Sequence, residues 1–172
     1  MHWVRKLDLW ETNFSLLKMT PFPLQKPIRN YKNMLRKETL KEFTPEERAQ
    51  FSGPAVRALL SLRTHWRISD SNISRLLGRP TRAELKEWLR AAEAHERIIL
   101  SSEQLHRIST ILKVFDALTN RYDNAQEKCS RWLRTPHTAA VFSGKPPLAL
   151  LEHSDLDLVL AVRNYVSTWK ES

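Results

Sequence analysis

The stretch DSNISRLLGRPTRAELKEWLRAA, running from Asp70 to Ala92, decides the fold. Ile73, Leu76 and Leu77 recur at helical steps, and Gly78 follows them where a left-handed residue would close a helix. Gly78-Arg79-Pro80 reads as a turn. Thr81 then caps a second helix, with Glu84 placed three residues on to bond back to the cap amide. Leu85, Trp88, Leu89 and Ala92 form one face of that helix, while Arg82, Lys86 and Arg90 at four-residue steps form another. A helix, a tight turn and a second helix pinned on one side and free on the other predict a helix-turn-helix.

Further helix starts are marked by the same chemistry. Thr44-Pro45-Glu46-Glu47 supplies a capping hydroxyl, a proline at the first helical position and a carboxylate at the third. Ser101 with Gln104 and Asp123 with Gln126 repeat the spacing, and Ser154 with Asp157 is a weaker variant. After Ser101, Leu105, Ile108, Leu112, Phe115 and Tyr122 fall near heptad spacing, widened by Ile111 and Leu118, which predicts a long central strut. Leu158, Val159, Val162, Val166 and Trp169 predict a closing helix. Cys129, Trp132 and Leu133 lie on one side of a helix read over Asn124–Arg134, Arg131 and Arg134 on another, with Pro136 ending it.

Residues 1–43 read differently, because Pro21, Pro23 and Pro27 forbid a continuous helix there. Trp3, Leu7, Trp10, Phe14 and Leu17 still recur at three- and four-residue steps, an apolar face for a docking arm or for packing on the same chain. A helix is expected near Asn30–Lys41. The chain has three glycines, Gly53, Gly78 and Gly144, which excludes a glycine-rich phosphate loop and reads as punctuation between helices.

The net charge of +9 is unevenly spread. Residues 1–97 hold 19 Lys and Arg against 11 Asp and Glu, whereas residues 98–172 hold 9 against 8. A basic half beside a near-neutral one suggests a polyanion-binding half and a partner-binding half, the other reading being a solvated basic surface. Phosphate and guanine-edge contacts need a cationic stripe of the kind formed by Arg82, Lys86 and Arg90, so these residues, with Arg75, Arg79 and the cap Thr81, are the candidate DNA contacts. Glu84 and Glu87 on the same helix oppose phosphate, Glu84 less so because it caps.

No stretch approaches the roughly 20 apolar residues of a membrane span. Asp8 and Glu11 interrupt any secretory signal, so a cytoplasmic protein is expected. Cys129 is the single cysteine and the six histidines lack metal-site spacing, which predicts neither disulfide nor metal nor cofactor. His95-Glu96 lacks the second histidine of a zinc-binding helix, and no nucleophile-base pair stands out, so the chain reads as a binding protein rather than an enzyme.

The C-terminal half carries the run Trp132-Leu133-Arg134, Pro136, Phe142, Gly144-Lys145-Pro146-Pro147-Leu148 and Leu150-Leu151, followed by Leu160, Val162-Arg163, Tyr165-Val166 and Trp169. By this run, and from Arg57 to Trp169, the chain resembles the Xre/MbcA/ParS family of type II antitoxins. An all-α chain in three parts is expected: a Pro-interrupted extension over 1–43, which the resemblance does not cover, and, as the resemblance implies, a helix-turn-helix DNA-binding domain over 44–97 and a small helical toxin-binding domain over 98–172, joined by the long helix. The resemblance also implies a homodimer that binds operator DNA to repress its own operon and occludes a cognate RES-domain toxin, one that consumes NAD or ADP-ribosylates a target. By position, Phe142, Lys145, Pro147, Leu151, Arg163, Tyr165, Trp169 and Lys170 are the candidate toxin contacts, with Arg163 and Lys170 expected to be exposed. Core packing is the competing role for each aromatic among them. The alternative function is a stand-alone helix-turn-helix regulator whose C-terminal domain dimerises.

Overall fold

In the computed structural model the described residues are 40–169, and all regular structure among them is helical. The elements are α1 (Pro45–Trp66), α2 (Asp70–Leu76), α3 (Arg82–Glu93), α4 (Ser102–Arg121), α5 (Gln126–Arg134), α6 (Pro147–Leu151) and α7 (Leu156–Ser167). The apolar arm over Trp3–Leu17 and the candidate contact Lys170 lie outside the described residues, as does the helix expected near Asn30–Lys41 apart from residues 40 and 41, which are not helical.

Local chemistry starts four of these helices. Thr44 with Glu47, Ser69 with Asn72, Thr81 with Glu84 and Ser101 with Gln104 each form a reciprocal capping box, which satisfies backbone N–H groups the helix itself leaves unpaired. Two expected caps are corrected. Asp123 and Asn124 both adopt positive φ, 50° and 60°, because the chain must reverse between α4 and α5, so α5 begins at Gln126 behind Ala125 with no side-chain cap. Asp155 rather than Ser154 caps α7, its carboxylate accepting from Asp157 N at 3.0 Å. The Ser154 carbonyl is held by Arg107, which fixes that residue before the helix starts.

Gly53 is a third correction, since it lies inside α1 beside Pro54 instead of ending a helix. An interior proline costs about 3 kcal/mol and an interior glycine about 1. Burial outweighs both: Ala55, Val56, Leu59, Leu62 and Trp66 are at most 1% exposed, and each large side chain contributes about 1.5–3 kcal/mol when removed from water.

The expected central strut is α4, which packs against α7, α1, α2 and α5. A helix enclosed by that many neighbours buries more than one stripe, so His106, Arg107, Ser109 and Thr110 are buried with Leu105, Ile108 and Ile111. One apolar core runs from Phe43 and Trp66 through Leu76 and Ile108 to Phe142 and Val162. The boundary expected at residue 97 falls in a segment without regular structure whose Ile98 and Leu100 insert into that core, to which residues on both sides contribute.

Candidate nucleic-acid interface and the C-terminal groove

The turn between α2 and α3 is built as a Schellman closure. Gly78 N donates to Arg75 O at 3.0 Å and Arg79 N to Ser74 O at 2.9 Å, with Gly78 at φ +82°. Ile73, Leu76 and Leu77 beneath it are fully buried. Thr81 then starts α3. Its hydroxyl accepts from Glu84 N and donates to Glu84 Oε2 at 2.7 Å, its backbone N–H donates to the same oxygen at 2.8 Å, and these two donations hold the Glu84 carboxyl below its usual range. The Glu84 charge is thus turned onto the cap rather than presented to an approaching anion.

α3 packs on α1 and buries Ala91 and Ala92, with Leu85 and Trp88 half-buried against the core. Its opposite face carries the cationic stripe, but the stripe is not uniform. Arg79, Arg82 and Lys86 are exposed and make no ion pair among the described residues. Arg82 borders a hollow between α2 and α3, with Ser71, Ser74 and Pro80 on its other walls. Arg90 is different: its guanidinium donates to Glu96 at 2.6 and 2.8 Å and to Glu87 at 2.7 and 3.2 Å, which raises its pKa. Two carboxylates compensate that charge locally, and the same pairing answers for Glu87. Arg75 is likewise engaged, donating from Nε to Glu152 Oε2 at 2.7 Å and from NH1 to Ser71 Oγ at 2.7 Å.

In the C-terminal half, Trp132 is the hub of an aromatic cluster. Phe142 and Trp169 meet it edge-on at 5.8 and 5.2 Å between ring centroids, His137 lies tilted against it at 5.1 Å, and Tyr165 stands 4.8 Å from Phe142. Paired backbone bonds, Gly144 N to His137 O and His137 N to Lys145 O, close the loop between α5 and α6. Pro146 and Pro147 then set φ for the first turn of α6, as a proline at the first helical position does. Phe142, Leu150, His153 and Leu158 line a shallow apolar groove with Lys145 at its rim. Cys129 is buried beneath the cluster, where its Sγ donates to Leu118 O at 3.5 Å and burial raises the thiol pKa.

The candidate partner contacts therefore divide. Phe142, Pro147 and Leu151 are buried core residues, while Lys145 is exposed and Tyr165 and Trp169 are half-buried at the edge of the aromatic cluster. Arg121 covers the Trp169 ring at 5.7 Å. Arg163 is a correction: expected to be exposed, it is 7% exposed. It lies four residues beyond buried Val159 and three before buried Val166, hence on the buried stripe of α7, and its Nε and NH2 donate to Asn164 Oδ1 at 3.1 and 2.8 Å.

Three further residues tie distant segments of the chain together. Arg107 on α4 is wholly buried, and its NH1 and NH2 donate to His153 O and Ser154 O at 2.6 Å each. Burial pulls its pKa down, opposed by the Glu103 carboxylate 3.7 Å away, and the guanidinium remains a cation. Asn72 Nδ2 donates to Glu152 Oε1 at 2.5 Å, beside the Arg75 bond to the same carboxylate. The signal available for Arg107 was a charge set between the apolar Leu105 and Ile108, whereas nothing local marks Glu152.

Among the described residues no group of three or more His, Cys, Asp and Glu could hold a metal ion, and no helix is long and apolar enough to cross a membrane. No protein-family model matches the chain, and no curated protein matches it.

Proposed function

We propose that the chain is the antitoxin of a type II toxin-antitoxin system, a cytoplasmic homodimer that binds its own operator through α3 and a RES-type toxin through its C-terminal half. The observation that carries the DNA-binding part is the outer face of α3 and the turn before it: Arg82 and Lys86 on the helix and Arg79 in the turn stand exposed with no ion pair among the described residues, and the other side of the helix is anchored to α1. Uncompensated cations on a rigid helix are what counterion release and groove contacts require. The partner part rests on the resemblance over Trp132–Trp169, with Lys145, Tyr165 and Trp169 as the contacts that reach the surface. Half-buried aromatics suit such a role, since they add large contact area at small entropy cost.

Two measurements test this. In duplex binding to the region upstream of its own gene, the Arg82→Ala/Lys86→Ala double variant should bind about tenfold or more weakly at physiological salt, and its salt slope should fall by about two. Unchanged affinity would sink the DNA-binding reading. Co-expression with the neighbouring gene product, scored by host growth and cellular NAD, tests the partner. Rescue that requires residues 98–172 supports the antitoxin, and a harmless neighbour leaves the stand-alone regulator as the better account.

A further inference from the structure

Asn72 and Arg75 stand three residues apart on α2, and both donate to one carboxylate from far along the chain. Asn72 Nδ2 meets Glu152 Oε1 at 2.5 Å and Arg75 Nε meets Glu152 Oε2 at 2.7 Å, one N–H for each oxygen. Two donors spaced to hold two oxygens of one anion fit a phosphate as well as a carboxylate. Arg75 also donates to Ser71, which lines the hollow shared with Ser74 and Arg82, so its head group lies at the margin of the cationic face.

The clasp is placed where a competitor can reach it, because the Arg75 side chain is 34% exposed and that of Glu152 14%. It is also not the only bond holding the α6–α7 joint to the rest of the fold. Arg107 already grips the next two residues through the His153 and Ser154 carbonyls from a fully buried position. Opening the Glu152 bonds leaves that anchor in place. Because the Arg75 side chain keeps a third of its surface in solvent, an incoming anion has a route to it.

We propose that Glu152 is an internal competitor for a DNA phosphate at Asn72 and Arg75, so that the C-terminal half holds the DNA-reading half in a state of lowered affinity. The inference rests on the DNA-binding reading above. Binding a phosphate at this pair requires Glu152 to swing away, and the free protein keeps Arg75 out of the contact set while Arg79, Arg82 and Lys86 remain in it.

The test uses the full chain and a fluorescein-labelled duplex from the region upstream of its gene, titrated at several salt concentrations. Glu152→Gln is expected to bind about threefold or more tightly, with a salt slope steeper by about one. Arg75→Gln in the wild-type background should change affinity by less than about twofold, and the Glu152→Gln/Arg75→Gln double variant should return to wild-type affinity and slope. A gain that survives in the double variant reflects net charge alone and overturns the proposal. So does a Glu152→Gln protein that binds no more tightly, or an Arg75→Gln protein that has lost affinity in the wild-type background. If neither Glu152→Gln nor Glu152→Ala folds by circular dichroism, the clasp is structural and the proposal fails. If the wild type and every variant fail to bind duplex, the DNA-binding reading falls and takes this inference with it, whereas wild-type binding with an inert Glu152→Gln removes only the inference.

Discussion

Arg107→Ala is expected to lower the free energy of unfolding by about 3–5 kcal/mol, the cost of breaking a buried charged network by deleting one member. The loss has three parts. The His153 and Ser154 carbonyls lose their 2.6 Å donors, the guanidinium volume becomes a cavity between α4 and the turn before α3, and the joint between α6 and α7 is freed from α4. Out of a total stability of about 5–15 kcal/mol this is a large fraction, and it corresponds to a fall in Tm on the order of 10 °C. Thermal melts by circular dichroism measure it, and a fall of less than about 3 °C would mean that the buried cation contributes little beyond its packing. Gly78→Ala should act through the same contact. A Cβ at Gly78 would stand 3.3 Å from Arg107 Nε, and φ +82° is strained for any side chain, so a loss of about 1–2 kcal/mol is expected. Arg107 is pinned by its two carbonyls and has little room to yield, so the two substitutions should be non-additive when combined.

Trp132→Ala is expected to cost about 3–5 kcal/mol, as large-to-small changes at buried aromatics do. Trp132 is 8% exposed and contacts three rings, Phe142, Trp169 and His137, while His137 Nε2 lies 3.0 Å from the Trp132 carbonyl. Removing the indole leaves the loop between α5 and α6 without its floor, so the near-UV circular dichroism of the cluster should collapse before the far-UV signal does. Trp169→Ala is the contrast. Trp169 is half-buried at the rim, and its loss should cost about 1 kcal/mol in stability while acting chiefly on partner capture. Equal destabilisation by the two substitutions would place Trp169 in the core and weaken its role as a contact.

Much of the helical framework was legible because the signals that start and stop helices act within one turn. Thr44, Thr81 and Ser101 cap through side chains three residues from their partners, and Gly78 closes α2 through its own φ. The long periodic run after Ser101 announced α4, since an apolar stripe sustained over five turns has few other readings. The misreadings at Asp123, Ser154 and Gly53 occur where a local preference met a demand from elsewhere in the chain. Asp and Asn cap well, yet they also tolerate the left-handed region that the α4–α5 reversal needs.

What the sequence determined by itself is the all-helical class, the turn between α2 and α3, and the set of cations on the outer face of α3, because each follows from neighbours within about four positions. The tertiary structure alone decided which cations of the chain are free. Arg90 is compensated by Glu96 and Glu87, Arg75 is claimed by Glu152 from 77 residues away, and Arg163 is drawn onto the buried stripe of α7. Charge is written in the sequence, but whether a charge is paired, buried or open to a ligand depends on which distant side chain the packed core brings beside it.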